Sequence, residues 1–387
     1  MRAYPTYLLL RGLGAFAGGC ALTYNLVFQV EEVGLTPFQL VAVGTVLEVA
    51  YLLAQLPTGL AADRYGRRPA IVLGTLLLGA GIAIQAVPVL TATLLGTAVY
   101  AVGAAFADGA EQAWIAGELG DDRVGPAFGR GAQLGQVAVV AGIGAGALAG
   151  TRTPAAPLLI GAGCWVVLAV VLAVVLPETE FTPVRSRAGR VRVRPSPAAL
   201  YVVAAVFVLG LGSEGWDRLG PAHLLAFPQV GVLTIGALGA ASMLGAAGLT
   251  ELLRRNLDGP RAGRLLLAVE CVRLPVMVGF ALAGSVEPAA ATWLVAGLLR
   301  SAAAPLLETW LVAVTEPATR ATALSVVGQA DSAGQILGGP PVGLLGSRAS
   351  VPVALLATAL VGLPALALLR RARSPSPVPA AGPAGPA

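Results

Sequence analysis

Residues 59–74 read GLAADRYGRRPAIVLG, a run that sets Asp63, Arg64, Arg67 and Arg68 between two long apolar segments. The rest of the chain makes that cluster unusual. Of 387 residues, 56% are hydrophobic and only 12% are charged, and the mean hydropathy is +0.80. A soluble domain carries about 25% charged residues. At half that charge, polar side chains cannot cover a water-exposed surface, so lipid must take the place of water around the apolar faces.

Outward from this loop, apolar segments recur along the whole chain, at 5–29, 38–59, 69–87, 91–117, 127–150 and 156–176, then at 198–224, 230–252, 263–283, 289–314, 322–346 and 350–369. Each is close to the length a helix needs to cross about 30 Å of hydrocarbon. The expectation is an all-α integral membrane protein with twelve transmembrane helices in two pseudo-symmetric six-helix bundles. Residues 1–176 form the first bundle, 177–197 a cytoplasmic linker, 198–370 the second bundle and 371–387 a disordered cytoplasmic tail rich in Pro, Ala and Gly. The first apolar run is long enough to span and has no cleavage site after a short core, so it is not expected to be a cleaved signal peptide.

The net charge of +5 comes entirely from arginine, since the sequence has no lysine. With the N-terminus inside, the inner loops hold Arg64, Arg67, Arg68, Arg123, the five arginines from Arg185 to Arg194, Arg254, Arg255, Arg261, Arg264 and Arg320. The tail adds Arg370, Arg371 and Arg373, whereas the outer loops hold only Arg152 and Arg348. That asymmetry puts both termini in the cytoplasm of a multi-pass protein of the cytoplasmic membrane. Scattered in this way, the arginines do not form a nucleic-acid surface. Cys20, Cys164 and Cys271 lie in separate apolar segments, so neither a disulfide framework nor a metal site follows, and no cofactor is implied.

The two halves resemble each other. TGLAADRYGRRPAIVLG (58–74) has a degenerate partner in TELLRRNLDGPRAGRLLLA (250–268), and EQAWIAGELGDDRVGPAFGRGAQLGQ (111–136) in ETWLVAVTEPATRATALSVVGQADSAGQ (308–335). Two matches at corresponding places point to a duplicated six-helix unit.

GLAADRYGRR (59–68) resembles the loop signature of the major facilitator superfamily, Gly-x-x-x-Asp-Arg/Lys-x-Gly-Arg-Arg/Lys, and the twelve-span layout extends the resemblance over about residues 5–370. PET at 177–179 is also common in that family. Among its members the chain is similar to bacterial drug/proton antiporters. The resemblance implies that Asp63, with Arg67 next, latches the inner gate. Gly59 lets the second span end, Gly66 makes the turn, and Arg64 and Arg68 anchor the loop. Asp63 is placed to cap a helix or to pair with an arginine across the interface.

Ionisable residues inside the spans cost about 3 kcal/mol or more on insertion scales, so each needs a partner or a task. The family's cavity is lined by helices 1, 4, 7 and 10. This makes Asp108, Glu111, Glu214, Asp217, Arg218, Arg300 and Glu308 candidates for the substrate cavity or for proton coupling, with Glu48 added from the middle of span 2. Asp108 and Glu111 lie three apart on one helical face, as do Glu214 and Asp217, and two acids on one face favour holding a proton. Pairing candidates are Asp108 with Arg130, Glu214 with Arg218, Glu270 with Arg273, and Asp331. His223 is expected at the membrane interface. Trp114, Trp216 and Trp310 can either stack on a substrate or anchor at the interface.

One departure concerns direction. The glycine-rich span 5, GQVAVVAGIGAGALAG (135–150), lacks the Gly-Pro of drug exporters, and GQILGGPPVG (334–343) in span 11 carries it instead. Span 1 offers Arg11 and Asn25 in place of an embedded acid. No phosphate-binding Gly-x-x-x-x-Gly-Lys loop and no nucleophile constellation are present, so direct ATP use and an enzyme are not expected. The reading is a monomeric secondary transporter that exports a small organic molecule against protons by rocker-switch alternating access. The alternatives are proton-symport uptake of a metabolite and a non-transporting sensor or scaffold on the same fold.

Overall fold

The computed structural model describes residues 3–179, 197–254, 259–315 and 320–373. Most of the expected linker and tail, residues 180–196 and 374–387, lies outside them. The first half contains α1 (Ala3–Glu31), α2 (Pro37–Tyr65), α3 (Arg67–Gln85), α4 (Leu90–Leu119), α5 (Asp121–Gly150) and α6 (Ala156–Val175). The second contains α7 (Pro197–Leu225), α8 (Val232–Arg254), α9 (Gly259–Ala281), α10 (Val286–Val314), α11 (Arg320–Arg348), α12 (Val351–Val361) and α13 (Leu363–Ala372).

Thirteen helical segments make twelve crossings, because α12 and α13 form one apolar stretch, Val351–Ala372, interrupted at Gly362. Pro364 is the cause. It opens α13, has no N–H to donate, and its ring crowds the carbonyl four residues back. Most helices overrun the apolar segments read from the sequence. α2 continues to Tyr65 and α5 begins at Asp121, since polarity marks where lipid ends, not where a helix must stop. Among the described residues nine helices are long and apolar enough to span by composition. The other three, α8, α9 and α11, have 23, 23 and 29 residues, which suffices in length.

The halves repeat one packing scheme. α1 packs on α5 and α6, and α3 on α4 and α6; correspondingly α7 packs on α11 and α12, and α9 on α10 and α12. Glycine faces make the α1–α5 and α7–α11 seams close. Gly19 meets the Val139 backbone and Gly142 that of Phe16, while Gly334 meets Phe207 and Gly338 meets Leu211. Such small-residue seams replace the hydrophobic drive that is missing between helices in lipid. Large apolar side chains such as Leu53, Leu56, Val137, Val170 and Val174 remain on the outside, where a bilayer covers them.

Between the halves α2 crosses α11 and α5 crosses α8. These contacts concentrate at the end opposite the 59–68 loop. There Gly346 meets Pro37, Gly343 meets Phe38 and Val41, and Gly150 meets Val232, and the Phe38 N–H donates to Ser347 Oγ at 2.9 Å. Towards the loop end, neither α4 nor α10 packs closely across the interface among the described residues, and Arg11, Asp108, Asp217 and Glu308 are exposed in mid-span or near it. The cleft between the halves is therefore closed at the far end and open at the loop end.

Candidate functional site

The arginine-bearing loop is a single residue. α2 ends at Tyr65 and α3 starts at Arg67, leaving Gly66 to turn the chain with φ of 114°, a conformation glycine adopts without a Cβ penalty. The cap comes from elsewhere in the chain. Glu178, just beyond α6, accepts the backbone N–H groups of Arg67 and, at 3.1 Å, Arg68, where the helix dipole favours a negative charge. Its neighbours are held too. Trp114 donates to the Pro177 carbonyl at 2.7 Å, and Thr179 donates through its N–H and hydroxyl to Glu118 at 2.6 and 2.7 Å.

The guanidinium groups of Arg67 and Arg68 donate to the carbonyls of Ala113 and Ala173. Arg64 lies over the Tyr65 ring at 5.4 Å. Asp63 is exposed, and among the described residues it has neither a hydrogen bond nor an ion pair. Two expectations are thus corrected. Capping, one of the two roles offered for Asp63, is filled by Glu178, whose longer side chain reaches the α3 N-terminus from across the loop. Gly59 does not end the helix, which runs on to Tyr65, and it does not pack against a neighbouring helix, since nothing lies near enough to meet a side chain there.

At mid-depth a charged cluster joins the halves. Glu214 on α7 is buried and pairs with Arg218 Nε at 3.3 Å, and it rests against Gly44 of α2, where any Cβ would overlap it. Asp217 receives Arg300 of α10 through two bonds of 2.5 and 2.8 Å. Asp331 of α11 accepts from Gln335 at 2.9 Å. Glu48 of α2 reaches Ser332 of α11 across the interface and lies in the field of Asp331, Arg218 and Asp217. Four carboxylates thus face two guanidinium groups.

Beside this cluster lies a cavity of about 540 Å³ between the halves. Its charged wall is Glu48, Glu214, Asp217 and Arg218, with Trp293 of α10 beside them. Its neutral wall comes from the first half, as Asn25, Gln85, Thr97 and Tyr100. Helices α2, α3, α8 and α11 line it together with α1, α4, α7 and α10. A second cavity of about 680 Å³ opens at the loop end beside Tyr4, Arg123 and Arg130.

The remaining candidates are placed as follows. Asp108 accepts from the Tyr51 hydroxyl at 2.9 Å, and Glu111 pairs with Arg11 at 3.5 Å. Asp108 and Arg130 do not pair, which corrects that expectation. Arg130 lies at the loop end of α5, some distance along the helix from the level of Asp108. Neither Asp108, Glu111, Arg300 nor Glu308 lines the central cavity, and Glu308 is exposed. Glu270 and Arg273 do pair, through bonds of 2.6 and 2.9 Å, but within α9 rather than between helices.

His223, near the end of α7, packs inside the protein. It is buried edge-on to Phe280 and Phe227, with ring centroids at 5.0 and 5.5 Å. Trp114 and Trp310 are buried packing residues, and Trp216 stacks on Trp293 at 4.8 Å. Of the tryptophans, Trp293 is the one that lines the cavity, and it was not among the candidates read from the sequence. Asn25, noted in the sequence, joins an amide chain with Gln29 and Gln85 through bonds of 3.2 and 2.8 Å, and those two partners were missed. Their signal was available, since three amides in otherwise apolar spans are costly without a task.

With this geometry in place, comparisons with known proteins add the family. The family model described as Major Facilitator Superfamily matches residues 8–293. No curated protein sequence matches the chain. Among solved structures, the nucleoside transporter NupG is 15% identical with a TM-score of 0.77, covering 97% of this chain and 100% of its own. A bacterial homolog of the human lysosomal transporter Spinster, in an inward-facing and unoccupied conformation, is 16% identical with a TM-score of 0.72 over 96% of this chain and 97% of its own. A POT family transporter in complex with 5-aminolevulinic acid is 11% identical with a TM-score of 0.74 over 95% of this chain and 94% of its own. At such identities the likeness establishes a shared fold.

Proposed function

Because the chain belongs to the Major Facilitator Superfamily, we propose that it is a monomeric secondary transporter exporting a small organic molecule across the cytoplasmic membrane in exchange for protons. The observation that supports this most is the cavity between two pseudo-symmetric halves, with charged residues from both halves beside it and a cleft open at one end only. Rocking of the halves about such a site gives alternating access.

The arginine bias makes the loop end cytoplasmic, so the described state is the inward-open one. In it Asp63 is disengaged, as a latch of the opposite state would be, and Arg67 is held by its own half. Closing the loop end would bring Asp63 to the second half. Glu48 and Glu214 are the proton-carrying candidates this reading favours, since both line the cavity and both meet the other half. Asp108, held by Tyr51 outside the cavity, is then a relay or gate residue.

Uptake of an anionic metabolite has less support, because Arg218 and Arg300 already hold carboxylates. The test is accumulation of dyes and antibiotics in an efflux-deficient host, with and without a protonophore, comparing wild type with Asp63→Asn, Glu48→Gln and Asp108→Asn at equal expression. Lower accumulation that disappears with protonophore and with Asp63→Asn and Glu48→Gln supports export. Unchanged accumulation across the panel, together with unchanged metabolite uptake, would favour a sensor or scaffold.

A further inference from the structure

We propose that the central cavity takes a planar aromatic amine carrying one positive charge, with its cation on Glu48 and the polar edge of its ring on Thr97. The proposal rests on the transport reading and names its substrate class.

Charge comes first. Of the charged residues lining the cavity, Arg218 is engaged by Glu214, and Asp217 is engaged by Arg300 from outside the lining. Glu48 lies beside the Ser332 hydroxyl and in the field of Arg218, and among the described residues no guanidinium is bonded to it. The charge left for a ligand to meet is therefore negative, and an anion would face it without a free arginine to compensate.

The aromatic walls come second. Trp293 is fixed by stacking on Trp216 at 4.8 Å and by tilted contact with Phe280 at 5.3 Å. Tyr100, from the other half, is set edge-on to Trp165 at 6.0 Å. Rings clamped in this way present a preformed surface, suited to a flat ring and to a cation alike. The volume of about 540 Å³ lies within the range of small-molecule pockets.

The third observation is independent of charge. Thr58, Thr75 and Thr93 in the same half each donate to the carbonyl four residues back. Thr97 does not. It is 2% exposed, lines the cavity, and among the described residues its hydroxyl oxygen has no partner. A buried polar atom left unpaired is costly, and a hydrogen-bonding edge on the ligand would satisfy it. The two halves thus divide the work: the first half supplies hydrogen bonds to a neutral ring edge, while Glu48 and the second half set the charge.

The test uses the full-length protein, purified and reconstituted in nanodiscs and in proteoliposomes, with three indoles of one shape: tryptamine, tryptophol and indole-3-acetate. Equilibrium dialysis should rank tryptamine tightest and indole-3-acetate weakest. Glu48→Gln should weaken tryptamine by about tenfold or more, the scale of a hydrogen bond to a charged group, and leave tryptophol unchanged. Thr97→Val should weaken tryptamine and tryptophol alike while keeping their order. Indole-3-acetate binding as tightly as tryptamine, or Glu48→Gln leaving the order intact, would overturn the assignment. Failure of the transport reading is read separately, by flux in the proteoliposomes. Cation-selective binding without flux of any probe leaves the ligand class standing and removes the transport reading; flux of indole-3-acetate but not tryptamine does the reverse.

Discussion

The carboxylate of Glu214 lies directly against the backbone of Gly44, so the α7 side chain of one half fills the space that a Cβ on α2 of the other would take. In the proposed rocking of the halves, the Glu214–Arg218 pair would be part of the contact that slides. A buried ion pair at a moving contact changes its solvation as the contact moves, which couples its charge state to conformation.

Gly44→Ala tests that contact. A Cβ at position 44 would displace both the Glu214 carboxylate and Arg218 Nε. Overpacking costs about 1–3 kcal/mol, offset by about 1 kcal/mol of helix propensity, so the melting temperature should fall only slightly. Transport should fall far more, about a hundredfold, because a misplacement of about 1 Å at a working site costs that much. Near-normal flux with unchanged melting would mean that α2 and α7 are not in close contact in the working cycle.

The ion pairs should differ sharply in what they contribute to stability. Glu270 and Arg273 have side chains 2% and 11% exposed, whereas Asp217 and Arg300 are 42% and 38% exposed. Arg273→Met leaves a buried carboxylate alone and should destabilise by about 3–5 kcal/mol. Arg300→Met removes a solvent-screened pair and should cost about 1 kcal/mol or less, while impairing transport. Thermal unfolding of the two variants side by side checks the order, and a larger loss for Arg300→Met would reverse this assignment.

Glu178→Ala removes the cap of α3. The expected cost is about 1 kcal/mol, with Glu178→Gln intermediate because an amide oxygen still accepts but carries no charge for the dipole. Hydrogen exchange localises the effect, since the amides of Arg67 and Arg68 should lose protection first. Unchanged protection there would show that the cap does not persist in solution.

Cross-linking reports the gate. In a background with Cys20, Cys164 and Cys271 replaced, cysteines at Phe38 and Ser347 should be joined by a short bis-methanethiosulfonate linker in the described state, each thiolate displacing a sulfinate to form a disulfide, since the Phe38 N–H already bonds to Ser347. The linked protein should lose flux and regain it on reduction. Full flux with the link intact would place the moving contact elsewhere.

The sequence made twelve crossings legible because hydrophobic length is the physical requirement of the bilayer itself. Helix ends were less legible, because a helix may continue into water, as α2 does to Tyr65. The break at Gly362 was present in the Gly-x-Pro pattern and was passed over. Ion pairs three or four residues apart could be read directly. Arg11–Glu111, Tyr51–Asp108 and Arg300–Asp217 could not, because each joins residues brought together by packing alone. On the neutral wall of the cavity the amides carried a readable signal but Thr97 did not: threonines in membrane helices commonly satisfy themselves locally, and only the folded structure reveals that Thr97 does not.

Pro177, Glu178 and Thr179 have a mechanical consequence. Each is tied to a different group of the first half: Pro177 to the Trp114 indole, Glu178 to the head of α3, and Thr179 to Glu118. A tug arriving along the chain from the second half meets this three-point anchor before it reaches α6. The load passes sideways into α3 and α4 as shear on several bonds at once, instead of peeling α6 away one turn at a time. The first bundle can thus be moved as one piece by its connection, and that attachment lies beside the Gly66 turn, close in sequence to Asp63.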